Sequence, residues 1–285
     1  MNKRTIGDVV VSAIGLGGMP MSIEGRPDEK QSIDTIHAAL DAGVTFFDTA
    51  DAYHWHADEV GHNETLLATA IGSYSGSSDG VLIATKGGHL RPGDGRWTQN
   101  GHPDYLKQAA KASLSRLGGD AIGLYQFHRP DAGVPYADSV GALADLLDEG
   151  VIRLAGISNA SVDQIRLAQE VLGGRLVSVQ NRFSPSYRSS LPELEYAAEI
   201  GIAFLPWSPL GGIGRAADLG AKNDAFQTVA DAHGVSPQQV ALAWELALAP
   251  VVIPIPGASK PASIRDSALA AELVLTPEEL AALSA

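Results

Sequence analysis

No cysteine occurs in this chain of 285 residues, which excludes disulfides, zinc–thiolate sites, iron–sulfur clusters and cysteine nucleophiles and fits a reducing compartment. Basic charge is scarce: 20 Lys and Arg stand against 33 Asp and Glu, for a formal net charge of -13. That field repels phosphate backbones and anionic headgroups at long range, so neither nucleic acid nor a membrane surface is an expected partner. A local cationic spot still suits a small anion. Long apolar runs are missing as well, and none reaches the ~18 residues that a membrane span needs. Lys3 and Arg4 precede an apolar stretch, but Asp8 interrupts it and no small-x-small cleavage site follows. The segment therefore reads as an N-terminal β-hairpin entering a first strand rather than a leader, and a cytoplasmic location is expected.

Apolar residues are plentiful. At 45% hydrophobic and 19% charged, the chain can bury a large core, and its length admits either two ordinary domains or one large barrel. Short apolar runs alternate with longer segments of helical period, the pattern of a parallel sheet with crossover helices. The strands are expected at Ala13 to Leu16, Val44 to Phe47, Val81 to Thr85, Ile122 to Phe127, Arg153 to Gly156, Val177 to Gln180, Ala203 to Leu205 and Val251 to Ile255. Helices are expected at Ser32 to Ala42, Glu64 to Tyr74, Asp104 to Leu117, Tyr136 to Glu149, Val162 to Leu172, Leu191 to Ile200, Pro237 to Leu248 and Ser263 to Ala271. Gly43, Gly118, Gly150, Gly173 and Gly201 stand where helices should stop. Neither a linker nor a charge block divides the chain. Residues 1–285 thus read as one domain, an α/β (β/α)8 TIM barrel with an N-terminal β-hairpin, whose functional groups belong just past the C-terminal ends of its strands.

Asp48, Lys86 and His128 each take the first polar position after an apolar strand, on three successive strands, and Tyr53 follows Asp48 by a short loop. Convergence at one rim gives chemistry suited to protonating a carbonyl oxygen. A phenol is protonated at neutral pH and can donate; an adjacent ammonium, Lys86, stabilises the anion left behind. Asp48 holds Lys86 charged and oriented, and a neutral His128 bonds the carbonyl oxygen. No side chain delivers hydride, so the set requires a nicotinamide cofactor.

The usual dinucleotide turn is absent. Gly15-Leu16-Gly17-Gly18-Met19-Pro20 places proline at the third glycine of G-x-G-x-x-G, and none of the 7 tyrosines has lysine four positions later. The late loops are better candidates. Trp207-Ser208-Pro209-Leu210-Gly211-Gly212 follows the seventh strand, and Ser259-Lys260-Pro261 opens a helix after the eighth, where barrels commonly take a phosphate. Ser158, Asn159, Gln180 and Asn181 carry the donors and acceptors that a carboxamide needs, and Trp207 offers a flat face for a ring.

With these residues in place the sequence resembles the aldo-keto reductase family over essentially its whole length. Asp48, Tyr53, Lys86 and His128 match that family's catalytic tetrad, and Asn63-Glu64, Gly156-Ile157-Ser158-Asn159, Gln180-Asn181 and Trp207-Ser208-Pro209-Leu210-Gly211 match its signatures. The resemblance implies a cofactor lying extended across the rim, an aldehyde or ketone substrate and Tyr53 as the acid. By the same resemblance Ser158, Asn159, Gln180, Trp207, Ser208, Leu210, Gly211, Ser259, Lys260, Ser263, Asp266 and Ser267 are cofactor contacts, and Met19, Trp55, Trp97 and Arg129 line the substrate mouth. NADPH is the expected cofactor because Lys260 and Arg265 offer charge to a 2′-phosphate; NADH stays open.

Three departures from the family pattern bear on the site. His54-Trp55-His56-Ala57-Asp58-Glu59 lengthens the loop beside the acid, with Trp55 expected to narrow the pocket. Residues 260–267 replace the family's usual adenosine contacts. The family's long C-terminal loop is lacking, which implies an open and permissive site. The glycine-rich run from Gly87 to Arg96 reads as a solvated loop in which Arg91 or Arg96 could draw an anion. Pyridoxal is one substrate to test, since certain bacterial members acting on it share the Pro209-Leu210-Gly211-Gly212 turn. Two other readings remain at this stage. His54-x-His56, with His62 and His128, could hold zinc in a barrel hydrolase, or the barrel could be a non-catalytic nicotinamide-sensing subunit.

Overall fold

The computed structural model describes the backbone of residues 1–285 and every side chain but that of Lys222. Seven parallel strands form one curled sheet in chain order: Leu16–Gly17, Phe46–Asp48, Leu82–Gly87, Ile122–Phe127, Ile152–Ser158, Leu176–Gln180 and Ala203–Phe204. Val251 to Ile255, expected as an eighth strand, and the two residues after it make only isolated bridges, Phe204 with Val252 and Gly17 with Gly257. The reason is in the sequence. Toward the seventh strand the segment bonds both ways, Phe204 N to Val251 O at 2.9 Å and Ile253 N to Phe204 O at 2.9 Å. Toward the first strand it can only accept: Gly15 N bonds Pro254 O at 2.9 Å and Gly17 N bonds Pro256 O at 3.0 Å, while the two prolines have no N–H to return. The sheet therefore meets itself through a half-ladder, a (β/α)8-like architecture.

The strands read in steps of two, and this alternation places the chemistry. Phe46, Leu82, Ala84, Leu124, Leu154, Ala203, Leu205, Ile253 and Ile255 form one buried cluster, which also takes in Ile6 and Val11 of the antiparallel hairpin Lys3–Ile6 and Val9–Ser12. Moving two residues on from those positions gives Asp48, Lys86, Gln126, Gly156 and Trp207. The same face that is apolar at one end of the sheet is thus polar at the other. The alternate residues, Phe47, Phe127, Ile157, Val179 and Phe204, face the helices.

Local chemistry fixes the helix starts. Asp28 accepts from Gln31 N at 2.7 Å ahead of Glu29–Asp41, and Ser161 and Gln164 form a capping box ahead of Val162–Val171. Gly201, at φ 72°, stops Leu191–Ile200 in the left-handed conformation that glycine adopts without penalty. The expected helices are present within a few residues. Leu219–Lys222 and Asp224–His233 are helices that the sequence conceals, because Gly211 to Gly220 obscures the helical period, and a last helix, Pro277–Ser284, ends just before Ala285.

One expectation is corrected. The run after the third strand is not simply a solvated loop: His89–Leu90 pairs antiparallel with Thr98–Gln99, His89 opposite Gln99. Arg91, buried there, donates to His54 O at 2.7 Å and to Glu24, and its guanidinium lies 4.5 Å from the Trp97 ring. Arg96 pairs with Asp94 in solvent.

Closure between the first strand and residues 254–257 has little room to spare. A Cβ at Gly17 would lie 2.9 Å from Ile255 O. Gly17→Ala is expected to destabilise the fold by about 1–3 kcal/mol, the usual cost of overpacking, measured as a lower urea midpoint with unchanged slope. An unaltered midpoint would contradict the tight closure.

Candidate active site

Lys86 is the centre of the site. Its side chain is wholly buried, and its ammonium donates to Asp48 Oδ1 at 2.6 Å, to Thr49 O at 2.8 Å and to the Tyr53 hydroxyl at 3.2 Å. Three protons thus meet three oxygens. Burial opposes the charge on the amine, but Asp48 and Tyr53 outweigh burial, so Lys86 holds its proton more firmly than an ordinary lysine. Asp48 is fixed from its other side as well: Oδ2 accepts from Gln180 Nε2 at 2.8 Å and from Gln126 Nε2 at 3.4 Å.

Tyr53 is 8% exposed, and that remnant faces a cleft. Burial raises its pKa and the nearby Lys86 pulls it back part of the way, leaving the hydroxyl protonated at neutral pH. His128 stands edge-on to the Tyr53 ring at 5.7 Å and lines the same cleft. Burial drives its pKa well below the ordinary value, and the charges of Lys86 and Arg129 act in the same direction, so the imidazole is neutral. Its Nδ1 is buried without a partner. Placing the single proton on Nε2 leaves a bare lone pair at Nδ1 rather than a stranded N–H, and directs a donor at the cleft.

The cleft has a volume of about 700 Å³, within the range of small-molecule and cofactor sites. It runs from Tyr53, His89 and His128 past Ser158, Asn159 and Gln180 to Trp207–Leu210, then to Ser259, Lys260 and Ser263. Met19, Trp97 and Arg129 also line it. Asn159 and Ser208 lie on its wall with φ of 56° and 53°, left-handed conformations unusual for residues other than glycine. Asn159 is held there by its own amide, which donates to His128 O at 2.9 Å and accepts from Trp207 Nε1 at 3.2 Å. One side chain therefore ties the indole face to the strand end that bears the histidine.

Four sequence expectations fall outside the cleft wall. Trp55 is 37% exposed, stacked on His56 with Arg26 beside it at 5.9 Å, so it does not narrow the pocket. Asp266 accepts from Ser236 Oγ at 2.7 Å and Gln239 Nε2 at 2.6 Å, fastening one helix start to another helix. Ser267 is buried behind it, and Gly211 belongs to the turn in which its N–H bonds Ser208 O at 2.9 Å. The His-x-His pair also diverges. His54 is buried with Nδ1 against His56 O at 2.6 Å, and His56 lies on the surface. Among the described residues no three His, Asp or Glu side chains converge as a metal site would require.

Gln126 and His89 escaped the sequence reading. Gln126 carried a signal: it lies two residues before His128, on the same face of the strand. His89 depends on the hairpin, which the glycines concealed. Asn63-Glu64, matched only as a signature, brace the loop that carries the acid. Asn63 accepts from Thr49 Oγ1 at 2.7 Å and donates to Gly18 O at 2.9 Å; Glu64 accepts from Thr85 Oγ1 at 2.5 Å and Arg116 Nε at 2.6 Å.

The aldo/keto reductase family model matches residues 13–285, and the chain belongs to that family. It is accordingly an NAD(P)H-dependent oxidoreductase, of the class that interconverts carbonyl compounds and alcohols. An uncharacterized oxidoreductase of Schizosaccharomyces pombe is 38% identical over 98% of this chain and 87% of its own. Pyridoxine 4-dehydrogenase of Escherichia coli is 30% identical over 99% of this chain and 97% of its own. An aldo-keto reductase from Klebsiella pneumoniae, solved in complex with NADPH, superposes with a TM-score of 0.80 at 27% identity, over 99% and 94% of the two chains.

His89 provides a pH test. Burial lowers its pKa to about 4, so the unfolded chain takes up a proton near the ordinary histidine value while the folded chain does not. Stability is then full above about pH 6.5 and falls as the pH drops toward 4. Denaturant unfolding across that window should show the loss, and His89→Gln should flatten it; an identical slope in the variant would refute a neutral, buried His89.

Proposed function

We propose that the protein reduces an aldehyde or ketone to the alcohol with NADPH, and that Tyr53 is the general acid. The observation that carries this reading is the position of Lys86 Nζ between Asp48 Oδ1 at 2.6 Å and the Tyr53 hydroxyl at 3.2 Å, behind a cleft that Tyr53 and His128 both face. When bound, the reduced nicotinamide supplies the hydride.

The residues present fit such a group. The cleft is long, its wall holds Asn159 and Ser208 in strained conformations, and it ends at Lys260 and Ser263 beside the first turn of Pro261–Leu269. Trp207 gives a flat face, Ser158 and Asn159 give polar atoms, and the glycine turn 211–214 lets backbone approach. Lys260, with Arg265 on the next turn, carries the charge for a 2′-phosphate.

The substrate carbonyl oxygen sits between the Tyr53 hydroxyl and His128 Nε2. His128 fixes its angle as a neutral donor, and Tyr53 transfers its proton as negative charge grows on that oxygen. The phenolate that results is met at once by the ammonium of Lys86, which Asp48 prevents from deprotonating. Gln126 and Gln180 hold Asp48 in turn. Because these groups are already in place, little reorganisation accompanies the charge movement. Pyridoxal belongs in the substrate panel on the strength of the Escherichia coli relative.

Two measurements test the reading. Following NADPH consumption on an aldehyde panel that includes pyridoxal, Tyr53→Phe should lower kcat by about 10²–10⁴-fold with NADPH binding retained. Full activity in that variant contradicts the assigned acid, and absence of turnover on the whole panel by the wild type favours a sensing role. Lys260→Ala should weaken NADPH binding while changing NADH binding less; an equal loss on both would remove the 2′-phosphate assignment.

A further inference from the structure

Charge inside the cleft is distributed unlike charge on the rest of the chain. A net charge of -13 makes acidic side chains the rule, yet among the described residues of the cleft wall the only acid is Asp48, which Lys86 neutralises. Two cations share that wall, Lys260 at the far end and Arg129 directly after His128. Arg129 is half-buried, its Nε is buried without a hydrogen bond, and it enters no ion pair with any described residue. Its neighbour Asp131 is turned away: Oδ2 accepts from Gly101 N at 2.9 Å and Oδ1 from Gly133 N at 2.8 Å. Arg26 is held by Glu59, Arg91 by His54 O and Glu24, and Arg96 by Asp94, while Arg182 lies over the Tyr187 ring at 4.3 Å and does not line the cleft.

Next to Arg129, His89 forms the remaining polar wall. It packs on Trp97 at 4.6 Å and edge-on to His128 at 4.8 Å, and neither of its ring nitrogens has a partner. A half-buried guanidinium and an unsatisfied imidazole therefore flank the histidine that faces the carbonyl. The His89 nitrogens and Arg129 Nε are closed off from the cleft, so the terminal nitrogens of Arg129, which have no partner among the described residues, are the donors a ligand with acceptor oxygens can reach.

We infer that Arg129 binds an anionic group on the substrate, and that the natural substrates are aldehydes or ketones carrying a carboxylate. This rests on the carbonyl-reduction reading and adds the substrate class. One planar guanidinium pairs two carboxylate oxygens side by side and balances a single charge. His89 is neutral at pH 7, its pKa lowered to about 4 by burial with Arg129 adding to the effect, so it adds no second charge beside the guanidinium. A phosphate dianion would stay half uncompensated. Arg91 and Arg96, the cations that the sequence singled out for an anion, are the ones already paired.

The test compares 4-formylbenzoate with its methyl ester in the wild type, Arg129→Gln and Arg129→Lys, with 4-formylphenyl phosphate as a third aldehyde. The ratio of kcat/KM for acid over ester should fall about tenfold to a hundredfold in Arg129→Gln, mainly through KM, and be partly kept in Arg129→Lys. In the wild type, raising the ionic strength should lower the same ratio, which needs no variant to fold. An unchanged ratio in Arg129→Gln, no salt effect, or a preference for the phosphate overturns the inference. Calorimetric titration of benzoate against benzamide, with and without NADPH, separates the two claims. Benzoate binding that Arg129→Gln abolishes, in a protein that reduces no aldehyde, would refute carbonyl reduction and keep the anion site; equal binding of benzoate and benzamide would refute the anion site whatever the turnover.

Discussion

An ammonium with no exposed surface is a costly thing for a protein to keep charged, and the arrangement of this molecule follows from how the cost is met. Lys86 is stable as a cation because Asp48 stands 2.6 Å away and because Thr49 O and the Tyr53 hydroxyl take its other protons. Each partner is positioned by a strand end or by the loop after one. Moving the second strand by one residue against the third would turn Asp48 away from the inner face and leave the lysine unpaired. The register of Asp48 opposite Ala84, and of Lys86 opposite Gln126, is thus as much part of the site as the side chains are.

Around that pair the polar groups hold one another in sequence. Ser158 Oγ donates to Gln180 O at 2.8 Å, Gln180 Nε2 donates to Asp48 Oδ2, and Lys86 Nζ donates both to Asp48 Oδ1 and to the oxygen of Tyr53. Such a chain has few alternative arrangements, which suits a site whose donors must stand ready before charge develops. The same economy explains why the cations nearest the cleft differ in use. Arg91 and Arg116 are fastened to acids and brace the hairpin and the acid-bearing loop, whereas Arg129 pairs with no acid among the described residues.

Much of this was legible in the sequence because two rules reinforce each other. Apolar runs located most strands, though the first, expected at Ala13 to Leu16, stands at Leu16–Gly17, and the first polar residue after each run marked the inward rim: Asp48, Lys86 and His128 were found that way. The segment expected as the eighth strand lies where the sheet meets itself, but its prolines leave isolated bridges there rather than a strand. What the sequence concealed depends on pairing between distant residues. The hairpin at His89 was hidden by glycines that look like loop, and Gln180, read as a ligand for a carboxamide, already donates its amide to Asp48. Trp55 failed for the opposite reason: an aromatic beside the acid suggests a pocket wall, but the extra loop residues carry it outward onto His56. Asp266 looked like a rim acid because it lies one turn into a helix near the cleft, and only the packing of Pro237–Leu248 shows whom it serves.

The account turns on Lys86 lowering the cost of the Tyr53 anion, and the direct measurement is the ionisation of that phenol. Tyrosine labelled with carbon-13 at the ring carbon that bears oxygen reports each hydroxyl's titration by NMR, and comparison with Tyr53→Phe assigns the signal. With Lys86 replaced by methionine, the Tyr53 pKa should move upward, since burial remains and the compensating charge is gone. A Tyr53 titration that does not move, or that moves downward, would contradict the central role given to the buried ammonium.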